Sequence, residues 1–95
     1  MFHYIALLRF TEQGAKNIKE SASRAHAFDS AAEAAGVKIE GQFWTVGAYD
    51  GVLILSADDE NKLLHCLTEL ASRGNVRTES LRAFTDQEFL AIAGK

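Results

Sequence analysis

Thr78, Ser80 and Arg82 recur at every second position within Val76–Phe84 and form the most chemically suggestive pattern in the sequence. In an extended strand, residues two apart share a side, so these three lie together, with Val76 and Phe84. That side is too polar for a dry core. If it lies on an uncovered sheet face, it can line a cavity between subunits, with Arg82 as anion binder. A guanidinium suits that task because it makes paired bonds to carboxylate or phosphate. The competing role for Arg82 is an ion pair within or between subunits, with Glu79, Glu40 or Asp50 as partner. Arg9 presents the same choice nearer the rim. Tyr49 and Asp50 set a phenol beside a carboxylate. Together they polarise a ligand, or else they serve a turn, with the carboxylate on backbone N–H groups and the ring packed across it. Trp44, the single tryptophan, either walls a pocket or packs in a core or subunit interface. Trp44, Tyr49, Asp50, Thr78 and Arg82 are therefore the candidate ligand-binding residues, for a small anionic or aromatic ligand.

Other chemistry is disfavoured by spacing. His3, His26 and His65 have no metal-ligand spacing, and His65 and Cys66 are adjacent. Adjacent helical side chains point in different directions, which argues against a shared metal site or a Cys–His nucleophile. Cys66 is expected to be a small packed thiol. Gly47 and Gly51 flank a hairpin rather than a strand-to-helix turn, so the dinucleotide fingerprint fails its context test. No serine nucleophile motif is present. We expect no metal and no cofactor, and assign no catalytic residue.

A net charge of -3 argues against nonspecific nucleic-acid binding, which needs a basic face. One cysteine allows no intramolecular disulfide and fits a reducing compartment. The apolar stretch Phe2–Phe10 is short and interrupted by His3 and Arg9, unlike a membrane span or a signal peptide. The expectation is a cytoplasmic protein. With 95 residues, no proline and no low-complexity run, it reads as one domain over 1–95 with no cis-proline turn.

The elements that position these residues follow from periodicity. Phe2–Phe10 suits a central strand buried on both faces. Thr11 is placed to cap a helix. Ala15, Ile18, Ala22, Ala25, Phe28, Ala32 and Ala35 then follow in steps of three and four, a stripe with Ile18 and Phe28 as its bulky contacts. Ser21 can cap a second segment and so divide this helix. Gly36 ends it. Val37–Val46 reads as a strand with Ile39 and Phe43 on one side, Gln42 and Trp44 on the other, and a bulge at Gly41. Gly47–Gly51 supplies hairpin chemistry, and Val52–Leu55 is a short central strand. Ser56–Glu60 starts a helix whose buried stripe is Leu63, Leu64, Leu67, Leu70 and Ala71, ended by Arg73-Gly74. Val76–Phe84 is the fourth strand. Thr85 and Glu88 have capping-box spacing and open a short C-terminal helix bearing Phe89, Leu90 and Ile92.

The order β-α-β-β-α-β is that of a ferredoxin-like α+β sandwich, a four-stranded antiparallel sheet with two helices on one face. Its other face is left open and apolar, which soluble monomers rarely tolerate. We expect the chain to pair with itself, as a homodimer or higher homo-oligomer.

Several separated segments resemble the GYD-domain family in order and spacing: Phe10-Thr11-Glu12-Gln13-Gly14 with Ile18–Ser21, Phe43–Asp50, Gly74–Thr78 and Leu81–Phe84. Family sequences often carry proline after the serine matched by Ser21, where this chain has Ala22, so a weaker helix break is expected. The resemblance implies a ferredoxin-like domain related to the dimeric α+β barrels, and brings no established substrate. Three functions remain in view. One is a homo-oligomeric small-molecule-binding or interaction module with its pocket at the open sheet face. Another is a cofactor-independent enzyme, monooxygenase- or isomerase-like, suggested by fold analogy. The third is a structural or regulatory oligomer, although the connections are short for a ligand-gripping loop.

Overall fold

Strand β1 occupies the apolar run Phe2–Phe10. The computed structural model describes residues 1–94. After β1 come helix α1 (Glu12–Lys16), a 3-10 turn (Ile18–Glu20), helix α2 (Ser21–Ala34), and strands β2 (Lys38–Trp44) and β3 (Gly51–Ala57). Helix α3 (Glu60–Ser72), strand β4 (Val76–Ala83) and helix α4 (Asp86–Ala93) complete the chain. The sheet runs β2-β3-β1-β4, with every neighbouring pair antiparallel. This is the ferredoxin-like arrangement expected from the pattern, with β1 and β3 central.

Strand register decides which face each residue takes. Ala6 pairs with Leu53 and Tyr4 with Leu55, and this face packs against the helices. Phe28 and Ala32 of α2 and Leu63, Cys66 and Leu67 of α3 are buried against it. Each fully buried leucine contributes about 1.5–3 kcal/mol. Ile18 is 54% exposed, contrary to its expected role as a core contact, because the 3-10 turn takes it out of the α2 stripe. Leu64 also lies outside the α3 stripe and is exposed.

Between these residues along the strands, Ile5 pairs with Ile54 and Leu7 with Val52. They point to the opposite face and remain only half-buried. Strand β1 is therefore central but not covered on both faces, because both long helices lie on one side.

The bulge expected at Gly41 is present as a register slip between Ile39 and Gly41. It reverses the alternation beyond it. Ile39 pairs with Leu55 and Trp44 with Gly51, both on the helix side, whereas Phe43 pairs with Val52 on the uncovered side. The expected grouping of Ile39 with Phe43 is thereby broken. Strand β2 ends at Trp44 because Thr45 turns the chain: its N–H donates to the Asp50 carbonyl at 2.9 Å and its hydroxyl to the Tyr49 carbonyl at 2.6 Å.

The division of the first helical region is present, with a different cause from the one expected. Ser21 is the first residue of α2, not its cap, and its hydroxyl accepts from the Trp44 indole N–H at 2.9 Å. Arg24 donates to the Asn17 carbonyl at 2.7 Å, which holds the break although Ala22 stands in place of proline.

Helix α1 is bolted to the α3–β4 turn. The Thr11 hydroxyl accepts from the Gly14 N–H at 3.1 Å, the cap expected for it, and donates to the Gly74 carbonyl at 2.6 Å. The Gln13 amide donates to the Arg73 carbonyl and to Asn75 Oδ1. Gly14 is buried, and a Cβ there would run into the Asn75 carbonyl. At the C-terminal side, Thr85 and Glu88 form the expected capping box of α4.

Two outcomes follow from these corners. Gly14→Ala should destabilise the protein by about 1–3 kcal/mol through backbone displacement, read from the urea midpoint at unchanged slope. The Glu88 carboxyl lies below its ordinary pKa, chiefly because the Thr85 backbone N–H donates to it. A lowered folded-state pKa means that this cap is intact above the unfolded glutamate value, about 4.3, and is lost as pH falls through the folded one. NMR of α4 amides should show this acid loosening, and Glu88→Gln should remove it.

Candidate functional site

The sequence left the face of strand β4 open, and register places its polar residues on the helix side rather than on the uncovered face that a cavity between subunits requires. Thr78 pairs with Leu8, Ser80 with Ala6 and Arg82 with Tyr4, so all three share the helix-bearing face. They are tolerated there because β4 is an edge strand, where Ser80 and Arg82 remain exposed. Arg82 Nε donates to Glu60 Oε2 at 3.0 Å, and the Tyr4 hydroxyl donates to the same oxygen at 2.8 Å. The guanidinium also lies 4.6 Å from the Phe84 ring centroid and 5.1 Å from that of Phe2. Its partner is thus Glu60, at the start of α3, rather than Glu79, Glu40 or Asp50. This network fastens α3 to the sheet edge.

Tyr49 and Asp50 are adjacent in sequence but work separately. The Asp50 carboxylate accepts from the Phe10 N–H at 2.9 Å, while its own N–H donates to the Leu8 carbonyl at 2.8 Å. It clamps the β2–β3 hairpin onto the end of β1. The Tyr49 hydroxyl donates to Glu79 Oε2 at 2.6 Å, and the Arg9 guanidinium lies 4.7 Å from its ring centroid. Arg9 also donates from Nε to the Ala48 carbonyl at 3.0 Å. Glu79 belongs to the uncovered-face set of β4, so Tyr49 reaches that face.

A cavity of about 100 Å³ lies on the helix side, between α2 and the sheet. It is distinct from the pocket expected between the open sheet face and a partner subunit. Trp44 and Asp50 both line it, together with Arg24 and Arg73. Leu8, Phe28, Leu53 and Val76 supply apolar wall. The structure therefore brings Trp44 and Asp50 together, leaves Tyr49 on the opposite face, and sets Thr78 and Arg82 outside the cavity lining. Arg24 and Arg73 were not singled out as binding residues. In the sequence Arg24 reads as a solvated helix position and Arg73 as a helix-terminal cation, and neither spacing signals a pocket.

The uncovered face has a continuous apolar centre. Phe43, Val52 and Leu7 form one row across the strands, and Ile54, Ile5 and Leu81 another. Phe43 is 59% exposed and Leu81 45%. At one end of this face Arg9 sits directly opposite Arg77. At the other, His3 lies 3.5 Å from Glu40 and 3.9 Å from Glu88. The exposed Phe89, Leu90 and Ile92 of α4 add further uncovered apolar surface.

The displaced titrations move away from neutrality. Tyr4 and Tyr49 are raised, each chiefly by donating its hydroxyl to a carboxylate, Glu60 and Glu79 respectively. Burial raises Cys66. Both phenols thus stay protonated at neutral pH, as hydrogen-bond donors rather than bases. Among the described residues, no group of three or more His, Cys, Asp or Glu side chains is placed to hold a metal ion. Among the same residues, no helix is long and apolar enough to cross a membrane.

The Asp50 clamp gives a direct test. Asp50→Ala should cost about 1–3 kcal/mol, because the Phe10 N–H loses a charged acceptor. Hydrogen exchange should quicken at the Phe10 amide more than at the Ala6 amide in mid-strand.

Comparison with known proteins follows the same outline. The chain is 29% identical over 89 residues to a Thermus thermophilus protein named glutamine synthetase and cystathionine beta-lyase binding protein; the match covers 93% of this chain and 94% of that protein. The crystal structure of TTHA0845, also from Thermus thermophilus, shares the fold, with a TM-score of 0.56 at 24% identity over 90% of this chain and 95% of that one. The GYD domain model matches residues 4–93, which takes in the α1 corner, the β2–β3 hairpin and β4. The chain belongs to the GYD domain family.

Proposed function

We propose that this protein is a self-associating interaction module that binds another protein rather than turning over a substrate. The observation that carries this reading is the uncovered sheet face, with Ile5, Leu7, Val52 and Ile54 half-buried at its centre and Phe43 and Leu81 exposed. A face four strands wide and about seven residues long spans roughly 19 by 23 Å, ~450 Å² in projection. Side-chain relief and α4 enlarge it towards the ~800 Å² per partner of a stable interface.

A second copy is the occupant that the charges favour. Arg9 and Arg77 mark one end of the face, and Glu40 and Glu88 the other, where Lys38 and His3 only partly offset them. A two-fold axis across the strands sets the basic end of one copy against the acidic end of the next, which makes the face its own complement.

The further partner is proposed by analogy. The Thermus relative is named for binding glutamine synthetase and cystathionine beta-lyase, and this chain is taken to bind an enzyme in the same manner, in the cytoplasm.

Light scattering on a size-exclusion column should return about twice the 10.4 kDa chain mass. Leu7→Glu should convert the protein to a monomer with unchanged far-UV dichroism, because a carboxylate cannot be buried unpaired in that interface. Ala31→Glu, on the exposed side of α2, should leave the assembly intact. Association unaltered by Leu7→Glu would remove the sheet face from the account. Co-elution with the glutamine synthetase or cystathionine beta-lyase of the same cell tests the enzyme-binding half, and failure with both would refute that analogy.

A further inference from the structure

We infer that the cavity between α2 and the sheet is a binding site for a small aromatic carboxylate. The walls set the apolar half of that ligand. Leu8, Phe28, Leu53 and Val76 line the ~100 Å³ space, which is on the scale of the apolar cavities that accept a single aromatic ring. Trp44 is 50% exposed, and its only polar hydrogen is already given to the Ser21 hydroxyl. What it offers a ligand is therefore its ring face, suited to another aromatic.

The charges set the other half. Arg24 and Arg73 both line the cavity, and neither forms an ion pair among the described residues. Arg24 spends one N–H on the Asn17 carbonyl, which fixes the side chain and leaves further donors. Arg73 is exposed, so a carboxylate at the open mouth can meet it without complete desolvation. Asp50 is the lining carboxylate, and it faces an internal donor: its Oδ2 accepts from the Phe10 N–H. Two cations against one engaged anion leave the lining net positive, in a chain whose overall charge is -3. An anion is thus drawn to this mouth against the repulsion of the whole molecule.

The charged and aromatic groups that define the site, Arg24, Arg73 and Trp44, are on the helix side, while Phe43 and Val52 border both the cavity and the sheet-to-sheet interface. Failure of the site would leave the self-association reading untouched.

Trp44 is the only tryptophan, so its fluorescence reports on the cavity directly. Benzoate titrated at pH 7 and constant ionic strength should change that signal saturably, with a Kd of about 1 mM or tighter for a ligand of this size. Benzyl alcohol, with the ring but no charge, should bind ~10-fold more weakly. Arg24→Gln and Arg73→Gln should each raise the benzoate Kd by ~5-fold or more. Ala25→Met, which adds a side chain into the space, should abolish the signal while far-UV dichroism and assembly mass stay unchanged. A benzoate response that does not saturate by about 10 mM would overturn the site. Equal affinity for benzyl alcohol would overturn its assignment to carboxylates, and unaltered binding in a folded Ala25→Met would place the binding elsewhere.

Discussion

One-sided covering of the sheet is the constraint on which the rest depends. Both long helices pack on one face, and the fully buried apolar strand residues, Ala6, Leu53, Leu55 and Ala57, all belong to that face. A chain of 95 residues has little core to spare, since a domain of this size buries only about 60–65% of its unfolded surface. The alanines of α2 let it lie close and conserve packing, while on the far side the short helix α4 reaches one end of the sheet, through Glu88 at His3, and leaves the centre open. Ile5, Leu7, Val52 and Ile54 are consequently stranded between core and solvent. Their burial requires something outside the chain, and this links the fold to its proposed work as an interaction module.

The segments that carry the family pattern serve architecture at one end of the sheet. Thr11, Gln13 and Gly14 lock α1 onto Arg73, Gly74 and Asn75. Asp50 locks the hairpin onto Leu8 and Phe10. The helix-side cavity opens between these two corners, with Asp50, Arg73 and Asn75 in its lining. Packing that fixes the corners therefore also fixes the mouth, so a structural pattern and a binding site are compatible uses of the same residues. Arg82, in contrast, is committed to Glu60 and Tyr4 at the opposite end of β1. It stabilises the start of α3, and the anion-binding task passes to arginines that sequence spacing did not mark.

Local chemistry was legible in the sequence where a few neighbouring residues decide the outcome. The Thr11 cap, the Thr85–Glu88 capping box, the bulge at Gly41 and the positive φ of Gly36 all rest on short-range geometry. The strand order followed too, because two helices and four strands in that sequence have few right-handed solutions. Facing was not legible. Alternation states that Thr78, Ser80 and Arg82 share a side, but the pairing of Arg82 with Tyr4 across β1 decides which side it is. A one-residue slip would have reversed the answer. At Gly41 such a slip does occur within β2. It separates Phe43 from Ile39, sending one to the open face and the other to the core. The candidate site divided along the same line: Trp44 and Asp50 met at a cavity, while Tyr49 went to the opposite face.

Self-association through the uncovered face is the central claim, and sedimentation equilibrium of the unmodified protein tests it most directly. Over a concentration range of about 1–50 μM, mass action requires a monomer–dimer system to gain mass with concentration unless it is already fully paired. The account predicts a limiting mass twice the 10.4 kDa of one chain, or a larger whole multiple built from such pairs. A mass that stays at 10.4 kDa across that range would contradict it, and would mean that this apolar face remains open to water or serves a different protein.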